Sequence, residues 1–92
     1  MADIAVIQTG ADMFTVSVTE GDSTTVHRVR VSSVDHRRLA PDVEPALLVE
    51  ESFRFLLDRE SKEAILRRFD LPVIGRYYPE YETEIRSRLG VD

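Results

Sequence analysis

The residue types that could carry chemistry crowd into one short stretch, HRVRVSSVDHRR at residues 27–38. His27 and His36 are the chain's two histidines, and with Asp35 they supply the donors of a two-histidine, one-carboxylate metal site. No helical i,i+4 spacing links them, and His27 falls at the end of an apolar strand face. They are therefore read as partly buried or surface histidines, and no metal is expected. Asp35 and His36 beside Ser32 and Ser33 hold the types of a hydrolytic triad but lack a nucleophile elbow. Glu50 and Glu51 are adjacent, so on a helix they point about 100° apart and make poor partners for acid–base work. The glycines at 10, 21, 75 and 90 form neither a phosphate loop nor a dinucleotide fingerprint. Without cysteine there is no thiolate chemistry and no disulfide. The sequence thus predicts no catalytic residues, no cofactor and no enzymatic activity.

Charge gives a second candidate. Glu50–Arg54, Asp58–Lys62, Glu63–Arg67, Glu82–Arg86 and Glu84–Arg88 are spaced i,i+4 with the acid first, which suits solvated helix faces. Subtracting them leaves Arg28, Arg30, Arg37 and Arg38, with Asp35 as the one acid among them. Alternation places Arg28 and Arg30 on one strand face beside the hydroxyls of Thr15, Ser17 and Thr19. Arginine forks and hydroxyls together are a phosphate-binding vocabulary. Exposed arginines on a sheet also deter edge pairing without any ligand. The face has no aromatic side chain to stack on bases, and the net charge is −5, both of which count against nucleic acid.

The elements that would position these residues follow from periodicity. DIAVIQ, MFTVSVTE and TTVHRVRVSS alternate apolar and polar residues, and TGAD and EGDS supply turns between them. Three antiparallel strands are predicted at residues 3–8, 12–20 and 24–33, with one face covered. The chain then turns helical. Asp42 precedes a helix over 43–58, with Pro45 in its first turn and Ala46, Val49, Phe53, Leu56 and Leu57 at helical spacing. Leu48 and Phe55 lie off that stripe and widen the apolar surface, so this helix is either central or part of an interface between copies. Ser61 is read as the cap of a second helix over 61–69, and the connection between the sheet and the helix over 43–58 is read as holding one short turn around 35–40.

FDLPVIGRYYPEYE, residues 69–82, is read as a joint. Leu71, Ile74, Tyr78, Tyr81 and Ile85 form one helical seam, but Pro79 would crowd the carbonyl of Gly75 and constrains Tyr78. Two short helices, 71–77 and 79–89, are predicted, the second ended by Gly90. Tyr77, beside Arg76 and off the seam, is the candidate exposed aromatic. ESFRFLLDRESKEAILRRFDLPVIGRYYPEYE, residues 51–82, resembles the C-terminal part of short uncharacterised prokaryotic proteins. That resemblance implies a recurring small domain without an assigned activity and transfers no functional residue.

The 92 residues suffice for one modest core. MADIAVIQTG lacks a basic segment and a long apolar run, so neither signal peptide nor membrane span is expected, and the expected location is cytoplasmic. The predicted fold is an α+β single domain, residues 1–92, in which a three-stranded antiparallel β-meander packs on three or four C-terminal α-helices. The expected function is a non-enzymatic protein-interaction or assembly module, homo-oligomeric, with Leu48, Phe55, Arg76 and Tyr77 as interface residues. The alternative is a small nucleic-acid-associated regulator, antitoxin-like, using Arg28, Arg30, Arg37 and Arg38.

Overall fold

A computed structural model of the chain describes residues 2–91. Its sheet is built from β1 (Asp3–Gln8), β2 (Met13–Glu20), β3 (Ser23–Arg30) and β4 (Arg68–Asp70), in that spatial order. The first three strands are antiparallel to one another in turn, and β4 joins β3 in parallel. Between β3 and β4 the chain forms α1 (Ser33–Leu39) and α2 (Pro45–Leu57). After β4 come a 3₁₀ turn (Leu71–Val73), α3 (Ile74–Tyr77) and α4 (Tyr81–Arg88). The α+β class expected from the sequence is observed, with four strands where three were predicted.

Strand alternation sets the layer order. Phe14, Val16 and Val18 of β2 and Val29 of β3 are buried on one face, with Ile4 and Val6 of β1 partly buried beside them. The opposite face carries Asp3, Ala5, Ile7, Met13, Thr15, Ser17, Thr19, Thr24, Val26, Arg28 and Arg30, all exposed or half-exposed. A period of two leaves each strand one face to bury, and the helices cover only that one.

The helix α2 has two buried sides because it is central. Val49, Phe53 and Leu56 form one, and Leu48, Ser52 and Phe55 form the other, about 100° round the helix. Phe53 stacks near His27 and Phe69 of the sheet, with ring centroids 5.3 and 6.0 Å away. Phe55 meets Tyr81 of α4 edge-on at 5.3 Å and Tyr78 at 5.8 Å. Leu48 and Phe55, expected to face a second copy, are both 0% exposed. Their width of apolar surface is used up inside the chain by α4.

The predicted helix over 61–69 does not form. Ser61 does close one turn, its carbonyl accepting from the Ala64 amide at 3.0 Å, but the turn does not propagate. The carbonyl of Leu66 takes a bond from His27 Nδ1, and that of Arg67 takes one from the Arg28 amide, each at 2.8 Å. A helix would spend both on residues further along its own axis. Nine residues is too short a helix to nucleate cheaply alone, so pairing with β3 wins, and Phe69 is buried as β4 forms. Asp58–Lys62 and Glu63–Arg67 dissolve accordingly, Asp58 pairing with Arg88 and Lys62 with Glu63, while Glu82, on a helix that does form, turns to Arg38 of α1. Glu50–Arg54 and Glu84–Arg88 form as spaced.

The third strand ends at Arg30, short of the predicted 33, because Ser32 caps α1. Its hydroxyl oxygen accepts from the Asp35 amide at 3.1 Å. The long helix starts at Pro45, after Glu44 rather than Asp42. The joint holds as two pieces, with Tyr78 extended at φ −131° and ψ 92° between α3 and α4, and Gly90 at φ 70° after α4.

Candidate interaction site

Each residue set singled out for chemistry has a place in the fold that accounts for it. His27 is fully buried. Its Nδ1–H donates to the Leu66 carbonyl, which fixes Nε2 as the acceptor for the Thr25 hydroxyl at 2.8 Å. The ring thus ties β3 to the segment leading into β4. Burial lowers its pKa from 6.5, opposed by the bond to Leu66 and aided by nearby Arg67. His36 donates Nε2–H to the Val43 carbonyl at 2.6 Å. The triad types at 32–36 are absorbed by the start of α1: Ser32 accepts from the Asp35 amide and donates its hydroxyl to the Asp35 carboxylate at 2.9 Å. Among the described residues no cluster of three or more histidine, cysteine or acidic side chains is placed to hold a metal ion.

The four arginines of the basic stretch are not brought together. Arg28 and Arg30 project from the open sheet face, and Arg30 is held by Asp12 at 2.8 Å. That hydrogen bond, with the charges of Asp12 and Asp70, raises its pKa. Arg37 lies on α1, where Nε reaches the Ser33 carbonyl at 3.5 Å. Arg38 turns to α4 and pairs with Glu82 at 2.6 Å. The neighbour that Arg28 does gain is Arg68, directly across the β3–β4 pair. Sequence reading missed Arg68 because it fell inside the predicted helix over 61–69. Its alternation with Phe69 (exposed, buried, exposed through Asp70) is a strand signal only three residues long.

The strand edge is where the sheet is unfinished. β1 is the first strand of the sheet, and among the described residues nothing pairs with its outer side. The direction of its backbone groups is fixed by the hairpin. Thr9 N–H donates to the Met13 carbonyl at 2.8 Å, and Asp3, Ala5 and Ile7 oppose Thr19, Ser17 and Thr15. In an antiparallel ladder bonded and non-bonded pairs alternate, so odd-numbered residues bond to β2 while Ile4, Val6 and Gln8 aim N–H and C=O outward. Open edges are normally blunted by lysine, proline, a bulge or brevity. DIAVIQ has six residues, no proline, no lysine and one charge.

Of the expected interface residues, Arg76 and Tyr77 do reach the surface, at the end of α3. Tyr77 is 65% exposed, and Arg76 makes no ion pair among the described residues. Among the described residues no helix is long and apolar enough to cross a membrane. No protein-family model matches the chain, and neither a curated protein nor a solved structure is detectably similar to it.

Proposed function

We propose that the chain is a non-enzymatic interaction module that assembles with itself, pairing β1 antiparallel with β1 of a second copy. The observation that carries this is the outward row of unbonded main-chain groups at Ile4, Val6 and Gln8 on an unguarded apolar edge. A two-fold axis through Val6 sets Val6 against Val6, Ile4 against Gln8 and Ala5 against Ile7, keeping side chains of one face together. Such β-branched and apolar cross-strand pairs are favourable. Ile7, 63% exposed, gains a neighbour, and Ile4 and Val6, partly buried, gain cover on the core side. Electrostatics favours the same edge: each copy carries net charge −5, and β1 brings only Asp3 to the contact. The result is a continuous sheet of eight strands.

A nucleic-acid-binding role has no comparable support. Arg30 and Arg38 are already neutralised by Asp12 and Glu82, and Arg37 and Arg38 stand on α1, not on the sheet face that carries Arg28 and Arg30.

Sedimentation equilibrium and amide exchange test the dimer together. At high concentration a dimer is expected, with the Ile4, Val6 and Gln8 amides protected; on dilution their exchange accelerates while Ala5 and Ile7 stay slow. Val6→Pro removes one outward donor and leaves the β2 ladder its bonds, so it should give a folded monomer. A wild-type monomer at near-millimolar concentration, with fast exchange at Ile4, Val6 and Gln8, would exclude the proposal.

A further inference from the structure

Beyond the sheet edge lies a cleft of about 290 Å³ between the end of α2, the segment after it and α3. Buried Ile65 and Phe69 line it from within, while Leu66, 46% exposed, and Tyr77, 65% exposed, line it from the surface. Two of the large apolar side chains that the fold leaves in water therefore border one cavity. Its polar group is Glu60, whose carboxylate Oε2 accepts from the Tyr78 hydroxyl. The nearby acids have cations: Asp58 has Arg88, Glu63 has Lys62, and Glu80 and Glu84 share Arg59. Glu60 forms no ion pair among the described residues, and a carboxylate has acceptor sites to spare after one hydroxyl. The Tyr78 phenol is held neutral, its pKa raised first by that bond to Glu60 and then by burial.

We infer that this cleft receives an arginine side chain, flanked by apolar residues, from a partner protein. Charge complementarity selects the cation: Glu60 is an unpaired anion at an apolar cavity. Exposed Tyr77 selects guanidinium over ammonium, because a planar cation stacks on an aromatic face while donating to a carboxylate in its own plane; the Tyr78 ring already has the Arg59 guanidinium 5.9 Å from its centroid. The volume, just under the roughly 300–1,000 Å³ that small-molecule sites occupy, suits a single side chain, and exposed Leu66 and Tyr77 at its border offer contacts to the flanking residues of a protein that a free cation would not use. Leu66 and Tyr77 then contact the residues on either side of the arginine. Nothing in this depends on β1, so monomer and dimer alike should bind.

The test titrates the ¹⁵N-labelled full chain with an acetylated, amidated peptide carrying one arginine between leucines, and with the same peptide carrying neutral, nearly isosteric citrulline. Saturable shifts at the Glu60, Leu66 and Tyr77 amides are expected, with the citrulline peptide weaker by about tenfold or more. Glu60→Gln still accepts from Tyr78, so the fold is kept; it should weaken the arginine peptide to the citrulline level and leave the citrulline peptide unchanged. Leu66→Ser, at an exposed position, should weaken both peptides alike. Equal binding of the two peptides, or no shift at millimolar peptide, overturns the inference. Binding of n-butylguanidinium as tight as that of the arginine peptide overturns the assignment to a protein partner.

Discussion

The Tyr81 hydroxyl donates to Ser52 Oγ at 2.7 Å, and the Ser52 hydroxyl donates in turn to the Leu48 carbonyl at the same distance. Both side chains are fully buried where α4 crosses α2. Burial pushes the Tyr81 pKa well up, so this donor is protonated at neutral pH. The order of donors makes the two groups unequal.

Tyr81→Phe removes a donor but leaves Ser52 bonded to Leu48, so a loss of about 1 kcal/mol is expected. Ser52→Ala strands a buried phenol, which costs more, about 1–3 kcal/mol. The double variant should lose less than the sum of the two, because the plain phenyl ring then at position 81 has no hydroxyl that needs the acceptor. Urea unfolding of the three variants checks both the ranking and the sub-additivity.

His27 gives a pH dependence with a definite sign. Its folded pKa lies below the unfolded 6.5, so between the two values the unfolded chain binds a proton that the native chain refuses. Stability from the neutral ring is therefore full above 6.5 and is lost as pH falls towards the folded value. Glu63 and Glu84, both depressed below 4.5 first by bonds to Lys62 and Arg88, contribute a separate loss at lower pH. In His27→Gln the upper phase of acid destabilisation should flatten while the lower one remains. A melting temperature that falls equally between pH 7 and 5 in both proteins would contradict the assignment.

Much of this was legible in the residues, and the failures have a common cause. Alternation in β1 to β3 and the two apolar sides of α2 are local patterns, repeated often enough to be read. The joint at Pro79 was legible because proline acts on its own backbone. What could not be read were choices settled by distant partners. Whether Leu48 and Phe55 faced solvent or α4 depended on Tyr78 and Tyr81, more than twenty residues away in sequence. Residues 61–69 have helical composition, and only His27 and Arg28 reaching for the carbonyls of Leu66 and Arg67 make them an entry to a strand. The same blindness hid Arg68 and split the basic stretch, since Asp12 and Glu82 were not neighbours until the chain folded.

Phe55 tests the reassignment from interface to core. It is packed between Tyr78, Tyr81 and the guanidinium of Arg59, which lies 3.6 Å from its ring centroid. Phe55→Ala should cost about 3–5 kcal/mol by leaving a cavity. Exposed Leu47, the residue before Leu48 on the same helix, should tolerate serine within about 0.5 kcal/mol. A Phe55→Ala protein that melts like the wild type but fails to self-associate would return this residue to an interface.

Arg28 and Arg68 face each other on adjacent strands without an ion-pair partner among the described residues. Like charges in register repel, so Arg68→Thr should raise stability by a few tenths of a kcal/mol, with the gain shrinking in high salt. Chemical denaturation at low and high ionic strength separates this from a gain in strand propensity, which salt would not remove.

Gly21 tests the hairpin that aligns β2 with β3. Glu20 opposes Ser23, leaving Gly21 and Asp22 as a two-residue loop. Gly21 has φ 59°, whereas no residue other than glycine has positive φ among the described residues, so the loop is of the kind with glycine first and an ordinary residue second. A Cβ on Gly21 would meet no atom within 4 Å, so Gly21→Ala carries no steric clash beyond its own backbone. Its cost should be about 1–2 kcal/mol, all of it from the left-handed conformation. D-alanine, introduced by semisynthesis, prefers positive φ and should restore stability or exceed it by shrinking the unfolded ensemble. L-alanine at Gly10, where φ is not positive and the nearest side-chain atom is 3.5 Å from an added Cβ, is the control and should be tolerated. If D- and L-alanine at Gly21 destabilise equally, the turn is not the left-handed one described.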